Sequence, residues 1–176
     1  MDFYTLKIGN LARKLPIVAL TPKIKVASVN LLGDRKLVEL LAKKLAEKLK
    51  TTKFDYLVGP EVKVVPLLQE LSRILRKERY VVCRKHIYGY MVGPIKTPGK
   101  QGLVIDGSDA KLISGKEVVI VDDVVSSGKT LKEVTELMNS CGARVVAYVS
   151  VFRQKRSFPE DLKDLIYIGT LPVFTT

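Results

Sequence analysis

The spacing of apolar residues changes several times along the chain, and each change marks an element. Residues 1 to 30 hold short apolar pieces, FYTLKI, LPIVAL and KIKVASVN, broken by Gly9, Pro16 and Pro22, which predicts short strands. Asp34 then stands in N-cap position ahead of Leu37, Leu41, Leu45 and Leu49, whose helical repeat predicts a helix. FDYLVG reads as a buried strand. From about Val65 a second helix places Val65, Leu68, Leu71, Ser72 and Leu75 on one face, and RYVVCRK follows as a strand. Between His86 and Gly102, Gly89, Gly93, Pro94, Pro98 and Gly99 predict a long exposed loop or loose hairpin, and loops of that length are usually functional or mobile. LVID comes next, then a turn at GSDAKLISGK, the strand EVVIVDD, a helix from about Gly128 to Ser140, and the strand ARVVAYVSVF.

Strands such as VVIV and YLV are apolar without alternation, as expected where helices cover both faces of a sheet. Strands and helices in alternation predict an α/β fold with a mostly parallel central sheet flanked by helices. With 176 residues, 47 % of them hydrophobic, and no repeat or linker, one domain over 1–176 is expected and disordered or fibrous classes are excluded. No segment approaches the ~20 consecutive apolar residues that span a bilayer, and MDFYTLKIGNLARK lacks the apolar core of a signal peptide. The expectation is a soluble cytoplasmic protein with no membrane partner. Cys83 and Cys141 lie in separate apolar segments without metal-ligand spacing and read as buried thiols. A formal charge of +12 favours anionic partners, but the cations are spread along the chain, and LAKKLAEKLK and RILRKERY fit solvated helix faces. Phosphorylated small molecules are therefore expected ahead of nucleic acid.

The chemistry concentrates in VVIVDDVVSSGKTL, Val118 to Leu131. In open α/β sheets ligands bind beyond the carboxyl ends of the strands, where Asp122 and Asp123 fall. Val124, Val125, Ser126, Ser127, Gly128, Lys129 and Thr130 then lead into a helix whose N-terminal N–H groups, with the hydroxyls, can hold a phosphate. Two known phosphate sites do not fit. Counting back from Gly128-Lys129-Thr130 puts Asp123 where a P-loop needs its first Gly. A receiver domain has no use for the Ser/Gly turn. An ordinary capped helix leaves two adjacent acids without a role. A sugar phosphate satisfies both halves, with the carboxylates accepting from ribose hydroxyls and the turn holding the 5′-phosphate.

This stretch resembles the phosphoribosyl-diphosphate (PRPP) signature of the type I phosphoribosyltransferases: an apolar strand, two acids and a Ser/Thr-Gly-x-Thr turn. YLVGPEVKVVPLLQELSRIL followed by YVVCRK is similar to the purine branch, most of all to adenine phosphoribosyltransferases, so that the resemblance covers about residues 54 to 150. It implies transfer of the phosphoribosyl group from PRPP to a purine base, adenine favoured, giving a nucleoside monophosphate and pyrophosphate. Glu61, Val62 and Lys63 would form the pyrophosphate loop, with Arg84 and Lys85 as further cations around the diphosphate. Mg²⁺ would be held indirectly at Asp122 and Asp123, through ribose, diphosphate or water. Residues 1–33 would form a hood over the base, 86–102 a flexible lid, and two chains a homodimer. Asn30 is the proposed base contact, although an amide there also suits a turn; His86 is expected as an exposed loop residue. Lys63 replaces the family's usual Arg, and Ser126 stands where hypoxanthine-guanine enzymes carry Asp. The proton acceptor is unassigned. A 6-oxopurine enzyme and a PRPP-sensing, nucleic-acid-binding regulator are the alternatives.

Overall fold

The computed structural model describes residues 2–97, 102–154 and 162–175. The apolar pieces at the start are strands β1 (Phe3–Ile8), β2 (Leu11–Thr21) and β3 (Ile24–Ala27), paired antiparallel in sequence. β2 runs straight through Pro16, whose carbonyl still accepts from Ser28 N at 2.9 Å. Helix α1 (Arg35–Lys48) begins where Asp34 accepts from Leu37 N at 3.1 Å, and it buries Leu37, Leu41 and Leu45 as the spacing requires. Each such leucine contributes about 1.5–3 kcal/mol of hydrophobic stabilisation.

β4 (Tyr56–Pro60), α2 (Val65–Ile74) and β5 (Tyr80–Cys83) come next, then the short pair β6 (Ile95–Lys96) and β7 (Val104–Ile105). Helix α3 (Gly107–Ile113), strand β8 (Glu117–Val125), helix α4 (Lys129–Ser140) and strands β9 (Arg144–Gln154), β10 (Ile166–Leu171) and β11 (Val173–Thr175) complete the described chain. The central sheet has order β10-β9-β8-β4-β5, parallel throughout. β8 shows why its strands are continuously apolar. Val119 and Val121 enter the core shared with α1 and α2, whereas Val118 and Ile120 enter the core under α3 and α4. Alternate side chains on a strand point to opposite faces, and here both faces are covered. Gly59 lets α2 approach this layer, because a Cβ there would stand 2.7 Å from Val121 O and 3.0 Å from Val64 Cγ1.

Two features depart from the sequence expectations, and two more add to them. GSDAKLISGK is not a simple turn: Asp106 accepts from Ser108 N (2.9 Å) and starts α3, which buries Ala110 and Ile113. The buried face of α2 is Leu67, Leu68, Leu71 and Ser72, with Val65 and Leu75 only partly covered, because the helix is wedged between α1 and β4. The 86–102 stretch is a hairpin at its base, where β6 and β7 pair and Arg84 bridges to Val104; its residues 98–101 lie outside the described residues. Lastly, β11 pairs antiparallel with β3, so the N-terminal sheet is closed by the far end of the chain. Both cysteines are buried free thiols. Among the described residues no helix is long and apolar enough to cross a membrane.

Candidate active site

β8 carries the acid pair out of the core at its carboxyl end. Asp122 is only 7 % exposed and Asp123 half-buried. The backbone folds over both: Asp123 N donates to Asp122 Oδ1 and Val124 N to Asp123 Oδ1, each at 2.9 Å. Ser150 on β9 steadies the turn by donating to Phe152 O (2.7 Å) and Asp123 O (3.3 Å). Burial, and then the charge of Asp123, raise the Asp122 carboxyl above the ordinary carboxylate range, and Lys63 pulls it back down.

Five residues further on, Gly128 takes φ +75°, which turns the chain into α4 in a conformation that side chains disfavour. No side chain at this N-cap accepts a hydrogen bond. The first-turn N–H groups and the positive end of the helix dipole therefore face a small hollow of about 30 Å³, lined by Asp122 and by Val124 through Leu131. Asp122 also lines the adjoining cleft, of about 770 Å³. Glu61, Val62 and Lys63 form one side of that cleft, Lys85, His86 and Ile87 another, and Lys96, Leu103 and Val104 descend from the hairpin. Asp123, Val124, Lys129, Thr130 and Glu133 complete it. The Glu61–Val62 peptide bond is cis. Lys63 Nζ donates to Val29 O at 3.2 Å, tying this loop to the end of the N-terminal sheet.

Two expected residues sit elsewhere. Arg84 does not line the cleft: its guanidinium pairs with Glu61 (2.6 Å), lies over the Tyr88 ring (4.7 Å) and donates to Tyr90 Oη (2.9 Å) beside a separate hollow of about 300 Å³. Beyond the end of β5 the two cations part: Lys85 lines the cleft, while Arg84, bridged to Val104, does not. Asn30 does not line the cleft either. Its Oδ1 accepts from Leu32 N at 3.2 Å, the side-chain turn that short amides favour. Conversely, Lys96 and Glu133 line the cleft without having been singled out, and exposed His86 lines it too. Glu133 was within reach of sequence reasoning, since it stands four residues after Lys129 on one helix face and pairs with it at 3.8 Å. Lys96 gave no signal, because its position depends on hairpin pairing. A groove of about 520 Å³ between α1 and α2, with Arg35, Glu39, Glu70 and Arg73 along it, contains neither the acid pair nor the start of α4.

An acid pair at a parallel-strand end beside a glycine-turned helix start is the geometry expected of a sugar-phosphate site. The model of the phosphoribosyl transferase domain matches residues 28–172. The chain belongs to this family. The HGPRTase-like protein 3 of Haloterrigena turkmenica is 34 % identical over 125 residues, covering 69 % of this chain and 64 % of that protein. The orotate phosphoribosyltransferase of Bordetella bronchiseptica is 30 % identical over 109 residues, 61 % of this chain and 46 % of that protein. The chain thus spans less than two thirds of the length of these curated relatives. The crystal structure of adenine phosphoribosyltransferase from Thermoanaerobacter pseudethanolicus superimposes with a TM-score of 0.70 at 23 % identity, over 89 % of this chain and 95 % of that one. The fold is that of the type I phosphoribosyltransferases.

Proposed function

We propose that the chain transfers the phosphoribosyl group of PRPP to a purine base, adenine favoured, releasing pyrophosphate. The observation that carries this reading is the position of Asp122, shared between the hollow at the start of α4 and the larger cleft. The 5′-phosphate sits in the hollow on the α4 N–H groups, helped by Ser126, Ser127 and Thr130. Asp122 and Asp123 accept hydrogen bonds from the two ribose hydroxyls. The diphosphate then extends into the cleft, where Lys63, Lys85 and Lys96 supply charge.

A ring nitrogen of the base attacks C1′ as the bond from C1′ to the diphosphate oxygen breaks and its electron pair leaves with pyrophosphate; the nitrogen's proton is given up. Positive charge develops on the ribose while negative charge grows on the leaving group, so fixed charges provide most of the catalysis. The acid pair suits Mg²⁺, which takes one or two carboxylates plus substrate oxygens and water. The described residues hold no cluster of three acid, His or Cys groups, and Asp122 and Asp123 would hold Mg²⁺ indirectly, through ribose, diphosphate or water. Bound there, Mg²⁺ supplies charge neutralisation on the leaving group. The 86–102 hairpin is the natural cover against hydrolysis of PRPP. Residues 1–33 form the hood within a single domain.

Adenine is favoured because Ser126 offers a small hydroxyl where 6-oxopurine enzymes carry an acid. A cytoplasmic salvage role and a homodimer accompany this reading. The test is pyrophosphate release from PRPP and Mg²⁺ with adenine, hypoxanthine, guanine, xanthine and orotate in turn. Turnover with adenine supports the proposal. Turnover with another base alone keeps the reaction and reassigns the substrate, and PRPP binding without turnover on any base makes the protein a PRPP-responsive regulator.

A further inference from the structure

Glu61 is an oddity in a cleft built for anions. It is the acid of the loop between β4 and α2, it lines the same cleft as Lys63 and Lys85, and only 15 % of its side chain is exposed. A carboxylate facing a diphosphate opposes binding by simple Coulomb repulsion. Its contacts show what it does instead. One oxygen, Oε2, stands 2.6 Å from Arg84 Nε, and the other, Oε1, accepts from Lys85 N at 2.8 Å. Its own backbone N donates to Cys83 O at 2.8 Å. One residue therefore clasps the last residue of β5, Cys83, and the two that follow it, Arg84 and Lys85.

This clasp has a direction. Arg84 is drawn toward Glu61, Tyr88 and Tyr90, away from the cleft, and the next residue, Lys85, is left facing into it. Arg84 also bridges Val104 through two backbone hydrogen bonds of 2.7 Å, so the root of the hairpin hangs on the same strand end. Glu61 thus holds Arg84 by an ion pair through Oε2 and Lys85 by a hydrogen bond to Oε1.

We infer that Glu61 is a positioning residue: by holding Arg84 Nε and Lys85 N together it aims the Lys85 side chain and the root of the 86–102 hairpin at the diphosphate subsite. The inference rests on the phosphoribosyl-transfer reading of the cleft and deepens it. It carries a sign that separates it from the alternative. An acid that merely sits near the anion weakens binding, so its removal tightens PRPP. An acid that aims the cations strengthens binding, so its removal loosens PRPP.

Glu61→Ala and Glu61→Gln, checked for native melting, are compared with the wild-type chain in PRPP and pyrophosphate titrations and in initial rates. Glu61→Ala is expected to raise the KM for PRPP and the Kd for pyrophosphate about tenfold, the scale of one lost hydrogen bond to a charged group. The kcat at saturating PRPP and the KM for the base should change by less than about threefold, since the inference assigns this loop end to the diphosphate. Glu61→Gln keeps an acceptor for Lys85 N but loses the negative charge that pairs with Arg84, and should fall between the two. Combining Glu61→Ala with Arg84→Met should add less than the product of the single effects. Unchanged or tighter PRPP binding in both single variants overturns the assignment, as does a loss confined to kcat. Wild-type protein that binds neither PRPP nor pyrophosphate overturns the phosphoribosyl reading together with it, and is distinguished by failing before any variant is compared.

Discussion

The two ends of the cleft are built in opposite ways. At the phosphate end, acids, turn and helix start are consecutive between Asp122 and Thr130, and the backbone of a single strand-to-helix connection fixes their geometry. On its other side the cleft is assembled from distant segments, Glu61, Val62 and Lys63 after β4, Lys85, His86 and Ile87 after β5, and Lys96, Leu103 and Val104 at the hairpin, with Lys63 tied to the Val29 carbonyl. A site made from one local segment is specified locally and tolerates little change within it. A site assembled across the sequence can vary one contributing segment without disturbing the turn at the start of α4.

The strongest way to break this contrast is to remove the acids. Asp122→Asn combined with Asp123→Asn should lower kcat/KM by about 10²–10³-fold, the scale of losing preorganised electrostatic groups, while inorganic phosphate still binds at the start of α4. Equal loss of phosphate binding would show that the two halves do not act separately. Next comes the turn. Gly128 sits at φ +75°, and Gly128→Ala should cost about 1–2 kcal/mol of stability for forcing a side chain into that conformation. The same variant should weaken PRPP binding while leaving the KM for the base nearly unchanged, as thermal melting and initial rates will show.

A subtler effect concerns pH. The folded-state pKa of Asp122 is raised, chiefly by burial and then by Asp123. The folded protein therefore keeps a proton that the unfolded chain releases at about pH 4. That contribution to stability is fully present below the unfolded value and is lost as pH rises toward and through the raised value. Asp122→Asn should flatten this part of the stability profile and raise the melting temperature at neutral pH even as it removes activity. A lower melting temperature at neutral pH would mean that the ionised carboxylate is stabilised in the fold. The smallest effect is expected at the N-terminal sheet. Deleting residues 173–176, and with them β11, should raise the KM for the base severalfold and leave PRPP binding within about twofold, because only one edge strand of four is lost.

The same contrast explains what the sequence made legible. β8, α4 and the acid pair stood out because the hydrophobic period, the strand-end position of Asp122 and Asp123, and the glycine turn are all local signals. Helix α1 was equally plain, with Asp34 as its cap. Helix α3 was hidden by the glycine and serine that open it; the Asp106 cap and the burial of Ala110 and Ile113 together make GSDAKLI helical. Lys63 and Lys85 were placed correctly on the cleft, but the outward turn of Arg84 depends on Glu61, Tyr88 and Tyr90, partners that only the folded chain brings together. Asn30 lies off the cleft lining, and its amide oxygen accepts from Leu32 N two residues on, the local turn that an amide at this position also suits.

Calorimetric titration of PRPP with Mg²⁺ into the wild-type chain and into the Asp122→Asn, Asp123→Asn variant tests the central claim most directly. The account predicts saturable one-to-one binding by the wild type, competed by a nucleoside monophosphate, and at least tenfold weaker binding by the variant. Absence of wild-type binding, or equal affinity in the two proteins, would contradict a ribose held by the acid pair.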